Sequence, residues 1–170
     1  IKARVKFNGD TLLDDDKVIS VSLNEIANSD EKVTIGELNS AKAVVEFEMP
    51  NDIIPLKNGI FSIQSGLLVN GEYEFVDKGT FYIDEIESSM GSKIVTVSGY
   101  DSIYRMNAEY KPGIKYPALL EEVIQDICRQ CNITSAIDNI PSITLDGYQE
   151  NITCKTFMGY CLGLMGLNGR

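Results

Sequence analysis

Histidine and tryptophan are both absent from the 170 residues. Without histidine the commonest general base is missing, so Ser-His-Asp and Cys-His catalysis are excluded within this chain. Without tryptophan, and with 8 tyrosines scattered along the sequence, there is no concentrated aromatic platform of the sort a carbohydrate-binding β-domain presents. Basic charge is scarce as well: 15 Lys and Arg stand against 25 Asp and Glu, a net charge of −10. That balance repels phosphate backbones and argues against sequence-specific nucleic-acid binding. No apolar run approaches the roughly 20 residues that cross a bilayer. The opening "IKARVKFNGD" lacks the apolar centre of a signal peptide, so the expectation is a soluble chain made in the cytoplasm.

What is present is enough for a core. Hydrophobic residues make up 44% of the chain and charged ones 24%, which suits one ordinary domain, or a small domain with part of another. Cys128, Cys131, Cys154 and Cys161 all lie in the last quarter. Cys128-x-x-Cys131 matches a redox or zinc spacing, yet it sits inside an amphipathic helical pattern with no second such pair, so buried free thiols are expected. Asp10, Asp14, Asp15 and Asp16 form the sharpest acidic cluster, but they lack the alternation and the twelfth-position Glu of a calcium loop. A solvated loop between strands is the expected role. "GLLVNG" has neither the Lys-Ser/Thr pair nor the strand-to-helix setting of a phosphate loop. A carboxylate-pair glycosidase remains arithmetically open, although nothing in the sequence sets two carboxylates across a cleft. No catalytic, cofactor-binding or metal-binding residue is therefore assigned, and no cofactor is expected.

The first hundred or so residues alternate with period two between turn signals, the pattern of an antiparallel β-barrel or sandwich. "ARVKFNGD" sets Ala3, Val5 and Phe7 against Lys2, Arg4 and Lys6, then turns at Asn8-Gly9. "VISVSL" aligns Ile19, Val21 and Leu23, and "AVVEFEMP" aligns Val45, Phe47 and Met49 opposite Glu46 and Glu48. "LNEIANSDE" reads as a loop or a turn of helix, and "KVTIGE" as a possible further strand. Asn70-Gly71 is the strongest hairpin signal in the chain, and Gly66, Gly71 and Gly79 mark turns or bulges. Ile86 falls out of phase with Phe81 and Ile83, which places a bulge near Glu85. The strand Lys93–Ser98 is apolar on both faces and is expected to be central. Gly99 would bend the chain, and Asp101 would cap one helical turn laying Ile103, Tyr104 and Met106 over a barrel end.

After "NAEYKPGIKYP" the period changes to 3.6. The expected division is a β domain over 1–110, a linker over 107–116 and a smaller, partial α+β domain over 117–170. A helix is expected from about Pro117 to Cys131, with Leu120, Val123, Ile124, Ile127, Cys128 and Cys131 as its buried stripe and Asn132 at its exit. "SITLDGY" reads as strand and turn. A second helix starts at the N-cap Thr153, leaves at Gly166 and buries Phe157, Cys161, Leu164 and Met165. Gly159 and Gly163, four apart, would let another backbone approach closely.

Three blocks, "KVTIGELNSAKAVVEFEMP", "GEYEFVDKGTFYIDEIESSMGSKIVTVSGYDSIYRMNAEY" and "YPALLEEVIQDICRQCNI" followed by "ITCKTFMGYCLGLMG", resemble in their order the phage and prophage tail-hub proteins. That family includes the baseplate hub of contractile tails, the N-terminal region of tail-associated lysins and the base of type VI secretion spikes. The resemblance implies a β-barrel that packs around a threefold axis and joins tail tube to tail tip. It further implies a non-enzymatic virion tail protein, with copies of itself and the tube, distal-tail and tape-measure proteins as partners. The rival it leaves open is the hub region of a tail-associated peptidase or cell-wall hydrolase whose catalytic domain lies downstream.

Overall fold

A computed structural model describes residues 2–9, 11–13, 16–25, 36, 38–49, 59–88, 92–135 and 137–167. The chain divides into two compact units, Ile1–Glu25 with Ala41–Ser102, and Ile26–Ser40 with Ile103–Arg170. The division thus falls at Ser102, ahead of the expected boundary, and 26–40 goes with the helices.

The first unit is a seven-stranded antiparallel sheet curled into a half-barrel. Its strands are β1 (Lys2–Phe7), β2 (Thr11–Leu13), β3 (Val18–Glu25), β4 (Ala41–Glu48), β5 (Ile60–Val69), β6 (Glu72–Ser88) and β7 (Ile94–Tyr100), in the order β2-β1-β5-β6-β7-β4-β3. The alternation read from sequence sets the faces. Val5, Phe7, Val45, Phe47, Phe61, Ile63, Phe81, Val95 and Val97 are buried in one cluster, where Phe7 lies 5.4 Å from Phe47 and Phe61 lies 5.5 Å from Phe81, ring to ring. Asn70 and Gly71 both take positive φ, 51° and 90°, which matches the right-handed twist of the strands they join. The expected bulge is present as a register shift between Ile83 and Glu85.

Several details differ from the sequence reading. Thr11–Leu13 is a short edge strand and not loop, because Leu13 can close the core beside Val5, its ladder partner. Ile19 leaves the face of Val21, since the register shifts between Val18 and Ser20, and it is exposed. Strand β7 is central, but its faces differ: Val95 and Val97 are buried on one, while the other runs from exposed Ile94 through half-buried Thr96 to buried Ser98. Nor does the strand stop at Gly99. A Cβ there would sit 2.8 Å from the Phe61 ring and against the Tyr82 carbonyl, so this glycine permits close approach of β6 instead of a bend. Asp101 ties the start of β4, accepting from the Ala41 N–H at 2.8 Å and donating its own N–H to the Ala41 carbonyl. "KVTIGE" and "LNEIANSDE" lie largely outside the described residues; of these, Leu23–Glu25 continue β3.

The second unit holds a 3₁₀ helix (Ser102–Asn107), the two-residue strands β8 (Ala118–Leu119) and β9 (Thr144–Leu145), α1 (Leu120–Cys131) and α2 (Cys154–Leu164). Ile103 and Met106 are buried as expected, but in this unit's core, with Leu120, Ile124 and Phe157, and Tyr104 is exposed. The segment 107–116, expected as a linker, carries Tyr110, a fully buried member of the same core. Helix α1 starts at Leu120, not Pro117, because Ala118–Leu119 pair with β9. Glu122 accepts from the Leu119 N–H at 2.9 Å, closing the N-terminus. Asn132 ends α1 in the left-handed conformation with φ 52°, and all six residues of the expected stripe are buried. Thr153 caps α2 through the Thr156 N–H at 3.1 Å, with Gly166 at the exit in positive φ. On α2, Cys154, Met158 and Leu162 join Phe157 and Cys161 in the core, while Leu164 is exposed.

Candidate functional site

The half-barrel carries a two-stranded arm. Strand β6 has 17 residues, of which only Tyr82–Ser88 pair with β7; the stretch Glu72–Asp77 pairs with Gln64–Val69 of β5 and with nothing on its other side among the described residues. On the β5 side, β1 reaches only as far as Gly66. The run "GLLV" before the turn breaks the polar alternation expected of a solvated hairpin. In the structure Leu67 is 54% exposed, Leu68 61% and Val76 54%. Such a cluster on a two-stranded ribbon makes the arm the candidate contact surface of this unit.

The two faces of the arm differ. Gly66 lies opposite Phe75, and a Cβ at Gly66 would fall 2.7 Å from the Phe75 ring, so glycine makes room for that ring. Arg4 stacks on Phe75 at 3.7 Å and Lys2 on Tyr73 at 4.8 Å. These contacts hold the base of the arm against β1. The register sets Leu67 opposite Glu74 and Val69 opposite Glu72. Alternation therefore gives the second face Leu67, Val69 and Val76 with the carboxylates Glu72 and Glu74. Asp77 belongs to the first face, where it accepts from Gln64 at 2.7 Å.

In the helical unit the notable polar group is Asp126, a 4% exposed carboxylate on the core side of α1. Its Oδ2 accepts from the Tyr110 hydroxyl and the Gly113 N–H, each at 2.9 Å, and its Oδ1 accepts from Arg129 at 2.9 Å. The Tyr110 and Tyr116 hydroxyls lie 3.3 Å apart. Burial first, then the Tyr116 and Asp126 hydrogen bonds, push the Tyr110 phenol far above its usual range, so it stays a neutral donor. With its lone pairs taken up by the chain, Asp126 serves as a clamp joining the 110–113 segment to α1. The sequence reading missed it; the signal was an Asp within the apolar stripe with Arg three residues on.

The four cysteines are buried and free. Burial pushes the Cys154 and Cys161 thiols up to about 12, the environment of an inert packing thiol. Gly159 and Gly163 do receive a backbone: a Cβ on Gly36 would collide with the Gly159 carbonyl, and one on Gly159 with the Gly36 carbonyl. A groove of about 510 Å³ opens beside this crossing, lined by Leu38, Asn39, Lys155, Tyr160 and Leu164 among others. Asp10, Asp14 and Asp15 lie outside the described residues, and Asp16 is exposed. Among the described residues no three His, Cys, Asp or Glu side chains gather as metal ligands, and no helix is long and apolar enough to cross a membrane.

No family model matches the chain, and no curated protein matches it in sequence. Its fold is similar to that of the prophage MuSo2 43 kDa tail protein from Shewanella oneidensis, with a TM-score of 0.61 at 11% identity. The alignment covers 96% of this chain and 50% of that one. This chain spans about half the length of that neighbour, and both units, sheet and helices, lie within the shared part.

Proposed function

We propose that this chain is a structural, non-enzymatic part of a phage or prophage tail, a hub or tail-tip component that links the tail tube to the tip. The observation that supports this reading is the likeness to a prophage tail protein across 96% of the chain, extending through both units and not the β-sheet alone. The mechanism is geometric. Half-barrels set side by side around a symmetry axis enclose a channel, and a chain of net charge −10 supplies acidic residues to its wall, past which DNA slides without sticking. Assembly in the cytoplasm and residence in the virion tail follow from that role.

Induction of the source strain's prophages, purification of tails and peptide mass spectrometry test the reading. Peptides of this chain should co-purify with tube and tape-measure proteins at a fixed, low copy number. Recovery only in the particle-free fraction would sink the tail reading.

A further inference from the structure

We propose that the β5–β6 arm is the docking element by which one copy of this chain grips the next, its Leu67–Val69–Val76 face lying on the outward face of β1 of a second copy. The proposal deepens the tail-assembly reading and rests on it for its biological role, but the contact itself can be tested on the purified chain.

Three observations support a second copy as the occupant. The first is charge. Glu72 and Glu74 share the arm's second face with its exposed apolar residues, and neither has a cationic partner among the described residues. Strand β1 carries Lys2, Arg4 and Lys6 at alternate positions, all on the face opposite the buried Val5 and Phe7. That is a concentration of cations in a chain with a strong acidic excess. Within one chain the Glu72 and Glu74 carboxylates and the β1 cations lie on opposite faces, because Lys2 and Arg4 stack on Tyr73 and Phe75, which occupy the arm's other face. A second copy brings acid and base together.

The second observation is the match of shape to chemistry. The acceptor surface is itself amphipathic: Lys2 and Arg4 sit over aromatic rings and are half-buried. It offers apolar stem and ring area to Leu67 and Val76 with charge around it, the make-up of an interface with an apolar centre and polar rim. The third is topology. Donor and acceptor patches are different surfaces of one chain, so the contact is head-to-tail and generates a ring or a helix and not a closed two-fold dimer. A β6 edge from Glu72 to Thr80, unpaired among the described residues and roughly 30 Å long at the rise of an antiparallel strand, lies beside the contact and adds backbone groups that a neighbour can pair.

Sedimentation equilibrium at low ionic strength, from micromolar up to about 1 mM chain, the limit of a useful affinity, is the test. Four chains are compared: wild type, the arm reversal Glu72→Lys with Glu74→Lys, the acceptor reversal Lys2→Glu with Lys6→Glu, and the chain carrying all four changes. Circular dichroism confirms that each retains the native fold. Wild type should associate beyond a dimer and weaken as salt rises. Each reversal should lower the association constant at least tenfold, and the combined chain should recover most of the loss. A wild type that stays monomeric throughout overturns the proposal and leaves a different tail protein as the occupant. Association indifferent to both reversals, or no recovery in a folded combined chain, overturns it too. Failure of the tail reading is separable, since it shows in the particle proteome whatever the sedimentation result.

Discussion

The half-barrel buries Val5, Phe7, Val45, Phe47, Phe61 and Val97 and no charged group among its described residues, whereas the helical unit encloses the carboxylate of Asp126, the phenol of Tyr110 and four thiols. Each solves a different problem. A sheet satisfies its backbone groups through its ladder, so its core needs only apolar side chains of suitable size. The second unit has short helices, two-residue strands and long irregular stretches, whose N–H groups need other acceptors. Asp126 takes the Gly113 N–H, the Gln130 side chain takes the Lys111 N–H at 3.0 Å, and Gln130 also donates to the Glu109 carbonyl. Side-chain polar groups there replace a missing ladder.

That contrast can be broken by mutation. Phe47→Ala should have the largest effect, about 3–5 kcal/mol, because it empties the centre of a close-packed apolar cluster. Hydrogen exchange followed by mass spectrometry should show lost protection in β1 to β7 first. Equal loss in α1 and α2 would mean that the two cores do not behave as distinct. Asp126→Ala comes next, at about 1–3 kcal/mol, since it strands the Gly113 N–H and the Tyr110 hydroxyl. Protection should fall over 108–130, and an unchanged urea midpoint would show the clamp to be dispensable.

The smallest expected effect is pH-dependent and sharpens the comparison, for only the helical unit has cysteines. Cys154 and Cys161 have folded values raised from 9.0 to about 12. Between those limits the folded chain holds more protons than the unfolded one, so stability present below pH 9 declines as pH rises toward 12. The urea midpoint of the helical unit should drift down above pH 9, and Cys161→Ala should flatten that slope even though it lowers stability overall. A steeper decline in the half-barrel would contradict the assignment.

How much could be read beforehand follows the same division. The faces of β1 and β4, the Asn70-Gly71 turn, the bulge near Glu85, the α1 stripe and the Thr153 cap are local properties. Period and turn chemistry specify them within a few residues. Where strands meet is not local. Gly99 looked like a bend because glycine's freedom was visible and the Tyr82 carbonyl beside it was not. The exposure of Leu67, Leu68 and Val69 is not local either, since it depends on β7 pairing with β6 only from Tyr82 onward. Ile103 and Met106 were correctly taken as buried and assigned to the wrong core, because the pattern gives a residue's apolar face and not its neighbours.

The sequence by itself determined the period of each segment, the turns between them, the lack of histidine chemistry and the acidic charge, all functions of residues close in the chain. Only the tertiary structure decided that β6 outruns its neighbours to leave an apolar arm, that Asp126 faces inward to tie a loop, and that Gly36 meets Gly159. Those outcomes depend on strand order and on contacts between distant residues, where backbone sterics and desolvation act across space and local spacing does not name the partner.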